Sequence, residues 1–234
     1  MVKVGIMQPY FMPYIGYWQL INAVDIFVIL DDVNYIKKGW INRNRILING
    51  QEKFFIIPLE KVSQNKKINE LDIFQPGQTK KDLWKKIELS YKRADEYDNA
   101  AKLLKRVIDE GSIKISKYIE NSIRSVCKEF DIDTKIMVSS EIVKDNSLTG
   151  RDKIIEICKK LGGDFYINPI GGKELYDKDF FHGYDVELKF IMTEDIVYKQ
   201  GEKEFHPFLS FIDMLCWNDK ERIGEYLTKY TLTD

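Results

Sequence analysis

The sequence predicts an α/β fold with a mostly parallel sheet, a β-hairpin and a helical insertion. Two short apolar runs, residues 3–7 and 26–30, flank a segment with helical spacing at residues 15–23. The dipeptide Asn49-Gly50 lies between two further apolar runs, and residues 79–130 carry apolar side chains at helical intervals. Alternating strands and helices are typical of parallel sheets, whereas the other two features indicate a hairpin and a group of helices.

The N-terminal elements predict a βαβ unit followed by a hairpin. Residues 26–30 form a continuous β-branched and aliphatic run, which suits a strand buried on both faces of a parallel sheet. Two parallel strands joined by a helix are expected to form a right-handed crossover. Because Asn-Gly between apolar runs is a strong hairpin signal, residues 45–48 and 53–57 are expected to pair.

The rest of the chain predicts three helices and then a return to the α/β pattern. After an expected strand near residues 71–74 and a turn at Pro76-Gly77, three apolar stripes predict three helices within residues 79–130. Strand, helix, strand, strand and helix are then expected at residues 135–138, 150–161, 165–167, 186–190 and 210–217. We therefore predict a sheet domain of residues 1–78 and 131–234, with the helical segment 79–130 packed on it.

The composition is that of a globular chain and excludes several classes of partner. The 234 residues include 36 Lys and Arg against 37 Asp and Glu, and 44% are hydrophobic, which argues against disorder. This balanced charge provides no global attraction to nucleic acid, so no nucleic-acid partner is expected. The three cysteines form no CxxC pair and there are only two histidines, so neither a disulfide framework nor a zinc knuckle or His-rich metal site is expected.

The N-terminal region needs a separate membrane test because residues 4–24 contain no charged side chain. That length approaches the ~20 residues of a spanning helix, but Pro9 and Pro13 would break such a helix. No basic region followed by a small-residue cleavage site is present either. We therefore expect no membrane insertion and a cytoplasmic location.

The segment between the first strand and the first helix is the first candidate binding site. In open α/β sheets, ligands bind beyond the carboxyl ends of strands, beside a helix N-terminus. Here the loop offers stacking faces, hydroxyl groups and a glycine that permits close approach. The candidate substrate-binding residues are Gln8, Tyr10, Tyr14, Gly16 and Tyr17. The alternative is that these aromatic side chains only cover the core.

The second candidate cluster follows the second strand. Asp31 and Asp32 are candidate catalytic carboxylates, as a general base or as ligands of Mg²⁺. The basic segment after them is suited to a phosphate or diphosphate, because arginine binds phosphate with two parallel hydrogen bonds. Its candidate binding residues are Lys38, Trp40, Asn42, Arg43 and Arg45. The alternative is a solvated loop with mutual ion pairs.

The third candidate cluster lies in the C-terminal part of the chain. His206 precedes a proline and is the better general-base candidate of the two histidines. Ser210 and Asp213 have the spacing of a helix capping box, which gives both a structural explanation. Asn168 and Lys173 lie in a Gly-rich loop that could contact phosphate, although the P-loop pattern is incomplete.

These segments together carry two resemblances. The layout resembles the nucleotidyltransferase superfamily, so the sheet is expected to be Rossmann-like (nucleotidyltransferase-like). The His-x-Gly-His motif of that superfamily corresponds here to Tyr14-Ile15-Gly16-Tyr17, with both histidines replaced. The chain more specifically resembles the WbqC-like protein family, which is found among bacterial genes for O-antigen and other surface polysaccharides. Residues 8–17, 27–33 and 39–45 carry this likeness, with support from 166–173 and 207–213.

The family resemblance implies a role in nucleotide-sugar or amino-sugar pathways, which leaves three hypotheses. The leading one is a transferase that N-acylates or aminoacylates an amino-sugar nucleotide during surface-polysaccharide synthesis. The runner-up is an ATP-dependent adenylating or amide-forming enzyme of the nucleotidyltransferase type. The third is a non-catalytic binding protein of polysaccharide assembly. No cofactor is identified, although acyl-CoA or ATP with Mg²⁺ are possible co-substrates, and a homodimer is possible.

Overall fold

The computed structural model describes residues 1–201 and 204–234, and within them it contains eight strands and eight α-helices. The strands are β1 (Lys3–Met7), β2 (Ile26–Ile29), β3 (Arg43–Ile48), β4 (Gln51–Ile56), β5 (Lys135–Val138), β6 (Phe165–Pro169), β7 (Glu187–Thr193) and β8 (Tyr230–Thr233). The helices are α1 (Ile15–Ala23), α2 (Pro76–Tyr91), α3 (Tyr97–Ile108), α4 (Ile115–Glu129), α5 (Gly150–Lys160), α6 (Lys178–His182), α7 (Phe211–Trp217) and α8 (Lys220–Tyr226).

Six of the strands form one sheet in the order β5-β2-β1-β6-β7-β8. All neighbouring pairs are parallel except β7 and β8, which are antiparallel. Reading along the sheet, the chain runs outward from β1 to β5 in one direction and from β6 to β8 in the other. The direction therefore reverses between β1 and β6, which makes this pair the topological switch point of a doubly wound sheet. The predicted α/β class with a mostly parallel sheet is confirmed.

The sheet is covered on both faces because side chains alternate along each buried strand. On one face Val4 and Ile6 of β1 join a core cluster with Ile154 and Ile157 of α5. On the other face Phe27 of β2 belongs to a second, larger cluster that includes side chains of α1, α4 and α7. Continuous apolar strands of this kind are typical of parallel sheets buried on both sides.

The hairpin predicted at Asn49-Gly50 is confirmed, and β3 and β4 form a separate two-stranded ribbon. Asn49 has a φ of 53° and Gly50 a φ of 70°, as a tight two-residue turn with left-handed backbone requires. In this ribbon Arg45 lies opposite Phe54, and Leu47 lies opposite Glu52. The two arginines of β3 therefore share a face with the even-numbered residues of β4.

The three helices expected within residues 79–130 are present as α2, α3 and α4. They pack on α7 and the hairpin: the backbone N–H of Glu96 donates to the carbonyl of Cys216, and the Leu47 N–H donates to the Tyr91 hydroxyl. All three cysteines are buried free thiols. No helix in the described part of the chain is both long and apolar enough to cross a membrane.

Three local expectations differ from the structure. No strand forms at residues 71–74; Ile73 makes a single bridge with Leu59, and Asp72 makes another with Lys114. Pro76 and Gly77 are not a separate turn but the first two residues of α2, where proline is favoured because its missing N–H is not needed. Ser210 does cap α7, but Asp213 forms no capping box because its carboxylate is bonded elsewhere.

Candidate functional site

A cavity of about 350 Å³ lies at the carboxyl ends of β1 and β6, and we call it the switch-point cavity. Met7 ends β1 and Pro169 ends β6, and both contribute to its wall. Its lining residues are Met7, Tyr10, Pro13, Tyr14, Gly16, Tyr17, Trp40, Asn44, Arg45, Pro169 and Phe208. The volume falls at the lower end of the range usual for small-molecule sites, ~300–1,000 Å³, and the position is where doubly wound sheets bind ligands.

A larger depression of about 830 Å³ lies elsewhere, between the hairpin turn and α2. Asn49, Glu88 and Trp217 are part of its wall, and none of its described lining residues belongs to the parallel sheet. The fold provides no general reason for a ligand there, so the switch-point cavity is the better candidate.

Five of the eleven described residues that line the switch-point cavity are aromatic. The rings of Tyr10 and Tyr17 lie 5.7 Å apart, and those of Tyr14 and Phe208 lie 5.9 Å apart in an edge-to-face arrangement. The Tyr17 hydroxyl donates to the carbonyl of Gln8 at 3.0 Å, and burial raises the pKa of Tyr17 well above its usual value. The predicted tyrosines are therefore brought together here, and Gln8 is held through its main chain.

Gly16 is required by the close packing of Tyr14 across the start of α1. A Cβ atom at position 16 would lie 2.7 Å from Oγ1 of Thr193 and closer still to the hydroxyl of Tyr14. The first turn of α1 contains no acidic side chain, and its N-cap Tyr14 makes no side-chain capping bond. Among the described hydrogen bonds none is donated by the N–H groups of Ile15 or Gly16. Of these two residues only Gly16 lines the cavity, so the helix presents one free donor and its partial positive charge at this wall.

Arg45 is the one charged residue among the described residues that line the cavity. Its Nη1 is 2.7 Å from Oε2 of Glu52, and its Nη2 donates to the carbonyl of Phe208 at 3.3 Å. The other carboxylate oxygen of Glu52 is 3.2 Å from Nδ1 of His206. His206 does not line the cavity as described, and Glu52 links this predicted base to the cation of the cavity wall. Sequence reasoning missed Glu52, although hairpin register places it diagonally from Arg45 on the same face.

Trp40 joins this cavity to the outer face of the hairpin and is 41% exposed. The guanidinium groups of Arg43 and Arg45 lie 5.8 and 5.7 Å from the centre of its ring. Arg43 does not line the cavity, because its Nε donates to the Gly39 carbonyl and its Nη2 to the Lys38 carbonyl. Lys38 itself is exposed. Of the basic candidates, Arg45 alone is brought to the cavity wall.

The asparagines of this segment have structural bonds. Asn42 accepts from the Tyr35 hydroxyl at 2.8 Å and donates to the Ile57 carbonyl at 2.7 Å. Asn44, which was not singled out in the sequence, lines the cavity and donates to the Met12 carbonyl. Both side chains fix the path of the loop rather than presenting free groups to a ligand.

Asp31 and Asp32 are buried beyond the end of β2, outside the lining of the switch-point cavity as described. Asp31 accepts from the N–H and hydroxyl of Ser140, at 2.9 and 2.7 Å, and from the amide of Asn69. These bonds tie the end of β2 to the segment after β5 and occupy both carboxylate oxygens.

Asp32 forms a buried ion-pair triad with two lysines that the sequence did not single out. Oδ2 of Asp32 is 3.0 Å from Nζ of Lys144 and 2.8 Å from Nζ of Lys153, whose side chains are 0% and 6% exposed. Burial opposes ionisation of Asp32, but hydrogen bonds led by that from Lys153 outweigh it and lower its pKa to about 2. Two ammonium groups beside one carboxylate disfavour a divalent cation at this place. In the described residues no group of three or more His, Cys, Asp or Glu side chains is placed to hold a metal ion.

The remaining candidates lie at the carboxyl end of β6 and in the 3₁₀ helix that follows it. Asn168 is buried in β6, one residue before the cavity-lining Pro169, and its side chain packs against Gly172. Lys173 lies in a 3₁₀ helix at Ile170–Leu175, and its Nζ donates to the Asp234 carbonyl at 2.6 Å. The Gly-rich loop therefore forms a 3₁₀ turn, and neither of its two candidates lines the cavity as described.

Asp213 is a buried carboxylate that connects the helices to the segment carrying His206. It accepts from the hydroxyls of Tyr91 and Tyr198 at 2.9 and 2.8 Å and from Gln200 at 2.9 Å. Burial raises its pKa to about 6, although these hydrogen bonds oppose the rise. The amide of the same Gln200 donates to the His206 carbonyl, and its oxygen accepts from the His206 N–H. These two bonds fix the backbone of the histidine.

Together, the sheet order and the cavity define a doubly wound α/β protein with an aromatic-walled cleft, containing one arginine, at its switch point. The chain belongs to the WbqC-like protein family, whose family model matches residues 8–225. The resemblance drawn from the sequence motifs is thereby confirmed.

A comparison with curated proteins finds a relative over almost the whole chain. The chain is 25% identical over 218 residues to the uncharacterized protein Rv1507c of Mycobacterium tuberculosis (strain ATCC 25618 / H37Rv). The alignment covers 92% of this chain and 93% of that protein. No solved structure matches the chain.

Proposed function

We propose that this chain is a transferase that binds an amino-sugar nucleotide in the switch-point cavity and N-acylates or aminoacylates its amine. The observation that carries the proposal is the lining of that cavity, which combines five aromatic rings with one cation and no described acid. Such a wall suits a stacked aromatic base joined to a negatively charged group. The family membership supports a role in bacterial surface-polysaccharide synthesis.

The phosphate groups of the ligand would be held by Arg45 and by the start of α1. Arg45 is already oriented by Glu52 and the Phe208 carbonyl, so little side-chain freedom is lost on binding. The free N–H group of Gly16 adds a donor of the kind that helix N-termini commonly offer to phosphate. Trp40 and the tyrosines would stack on the base.

His206 is the proposed general base for the sugar amine. Its Nδ1 faces a carboxylate of Glu52, an arrangement that orients an imidazole so that Nε2 can accept a proton. Asp32 is unsuited to this role, because a carboxylate with a pKa of about 2 has little affinity for a proton at neutral pH. The hydrogen bonds of Asp31 give it a positioning role at the end of β2.

The test is isothermal titration of the protein with UDP- and TDP-linked amino sugars, comparing Arg45→Gln with Arg106→Gln. Arg106 is a matched control, because it also pairs with one glutamate, at 2.6 Å from Glu129, but lies in the helical segment. A charged hydrogen bond contributes ~1.5–3 kcal/mol, so Arg45→Gln should weaken binding about tenfold or more. Equal affinity of both variants, or no binding by the wild-type chain, would contradict the proposal.

A second candidate function, adenylation by ATP, is favoured by one observation. Gly16 opens the helix after the first strand at the switch point, at the position of the glycine in the nucleotidyltransferase motif. The flanking tyrosines, however, supply no positive charge in place of histidines. Tight Mg²⁺-dependent binding of ATP without binding of any nucleotide sugar would favour this function over the first.

A further inference from the structure

A second cavity, of about 260 Å³, adjoins the switch-point cavity, and we call it the acidic cavity. Tyr14 and Phe208 line both cavities, so their edge-to-face pair forms a common wall. Thr193, which ends β7, lines the acidic cavity, while Gly16 beside it lines the switch-point cavity. The two cavities therefore open along the same carboxyl edge of the sheet.

The acidic cavity is lined by acids, whereas the one described charged residue that lines its neighbour is Arg45. Its wall includes Glu194 and Asp195, directly after β7, and no described residue of this wall is a cation. Both carboxylates are exposed, and neither has an ion-pair partner among the described residues. Most of the other lining side chains are apolar or aromatic, for example Val197, Phe211 and Met214.

We infer that the acidic cavity binds the ammonium group and apolar side chain of an aminoacyl donor. This inference rests on the proposed function, because a transferase needs a second subsite beside that of the nucleotide sugar. A group with one positive charge and an apolar body matches an apolar wall with two exposed carboxylates that have no ion-pair partner among the described residues.

The charge of this cavity also decides which amine it would hold. Carboxylates beside an amine favour its protonated form and raise its pKa, and a protonated amine has no electron pair with which to attack. The sugar amine, as nucleophile, therefore belongs outside the acidic cavity, and the bound ammonium is the spectator α-ammonium of the donor. An unsubstituted acyl donor would leave both carboxylates without a partner.

The transfer then balances as an ordinary acyl substitution. The sugar amine forms a C–N bond to the carbonyl carbon of an activated amino acid, such as its ester or thioester. The bond from that carbon to the oxygen or sulfur of the leaving group breaks, and the leaving atom takes the electron pair. The proton released from nitrogen passes to the general base, His206.

The experiment is an NMR titration of the ¹⁵N-labelled protein with leucinamide, which carries an ammonium group but no carboxylate. N-acetylleucinamide serves as the neutral comparison. We expect leucinamide to shift the amide signals of residues 193–198 and N-acetylleucinamide to bind at least about fivefold more weakly, as loss of two exposed ion pairs implies. Equal binding of the two amides, or no shift by leucinamide, would overturn the inference.

The matched variants are Glu194→Gln with Asp195→Asn, and Asp109→Asn with Glu110→Gln. The second pair removes two adjacent acids from the end of α3, with the same change in net charge. Only the first pair should weaken leucinamide binding, and equal effects of both pairs would refute a local site. Leucinamide is titrated without nucleotide, so the two proposals can fail separately. Absence of leucinamide binding would not affect the nucleotide-sugar test with Arg45→Gln, and absence of nucleotide-sugar binding would not affect the leucinamide test.

Discussion

The replacement Asp32→Asn tests whether Asp32 holds the fold together or takes part in the reaction. In the structure Asp32 is the single described counter-ion of two buried lysines, Lys144 and Lys153. The asparagine side chain is nearly the same size but neutral, so it would leave two ammonium groups without a counter-ion, each keeping only a backbone carbonyl, that of Ser139 for Lys144 and that of Asp32 for Lys153. Removing one member of a buried ion pair costs ~3–5 kcal/mol, because the remaining charge cannot regain its water.

The pKa of Asp32 gives a second measure of the same interaction. The shift from 3.8 to about 2 corresponds to about 2 kcal/mol of stability. Because the folded-state pKa is the lower one, this contribution is complete above pH ~4 and is lost as the pH falls towards 2. Asp32→Asn lacks this titrating group, so its unfolding free energy should decline less than that of the wild type as the pH falls from ~4 towards 2.

Urea unfolding followed by tryptophan fluorescence measures both effects. The control is Asp131→Asn, because Asp131 also pairs with one lysine, Lys220 at 2.8 Å, but on the surface. Exposed pairs contribute ~0–1 kcal/mol, so the control should change the unfolding free energy by less than that. A loss in Asp32→Asn no larger than in the control would refute the reasoning. Replacing Asp32, Lys144 and Lys153 together by apolar residues should recover much of the loss.

Three further predictions concern the site and its support. Gly16→Ala should weaken nucleotide-sugar binding, because the added methyl group must displace the Tyr14 ring from the cavity wall and crowd Oγ1 of Thr193; unchanged affinity in the titration would contradict this. His206→Gln should lower turnover at least about a hundredfold while the Kd stays within about twofold, and a large change in Kd alone would argue against a base. Burial raises the pKa of Asp213 from 3.8 to about 6, so its contribution should make the protein less stable, by about 3 kcal/mol, as the pH rises from about 4 to 6. Urea titrations of wild type and Asp213→Asn should show this difference in slope, and parallel pH profiles would contradict it.

Local patterns were sufficient to predict most of the elements and one wall of the cavity. The strand, loop and helix from Lys3 to Ala23 are continuous in sequence, so the tyrosine-rich loop could be placed at the carboxyl end of β1 before the structure was known. The Asn49-Gly50 turn was equally predictable, because its backbone conformation depends on two residues. The strand predicted at residues 71–74 was wrong for the opposite reason, because the backbone of these residues bonds to separate, distant segments.

The partners of the charged candidates could not be predicted, because they come from distant parts of the chain. Lys153 is 121 residues from Asp32, and nothing local marks either lysine as buried. Glu52 is 154 residues from His206, so the link between that histidine and Arg45 appears only when the hairpin meets the C-terminal segment. A buried charge is recognised by its partner, and periodicity shows only which face of an element is apolar.

The most direct test of the central claim is ¹⁹F NMR of the protein labelled with 5-fluorotryptophan, titrated with UDP- and TDP-linked amino sugars. The chain has four tryptophans, and Trp40 lines the switch-point cavity while Trp217 lines the larger depression near α2. Each signal can be assigned by replacing one tryptophan with phenylalanine. We predict that the Trp40 signal shifts with saturating concentrations of the ligand and that the Trp217 signal does not move. A shift of Trp217 with Trp40 unchanged, or four unchanged signals across the ligand series, would contradict a nucleotide-sugar site at the switch point.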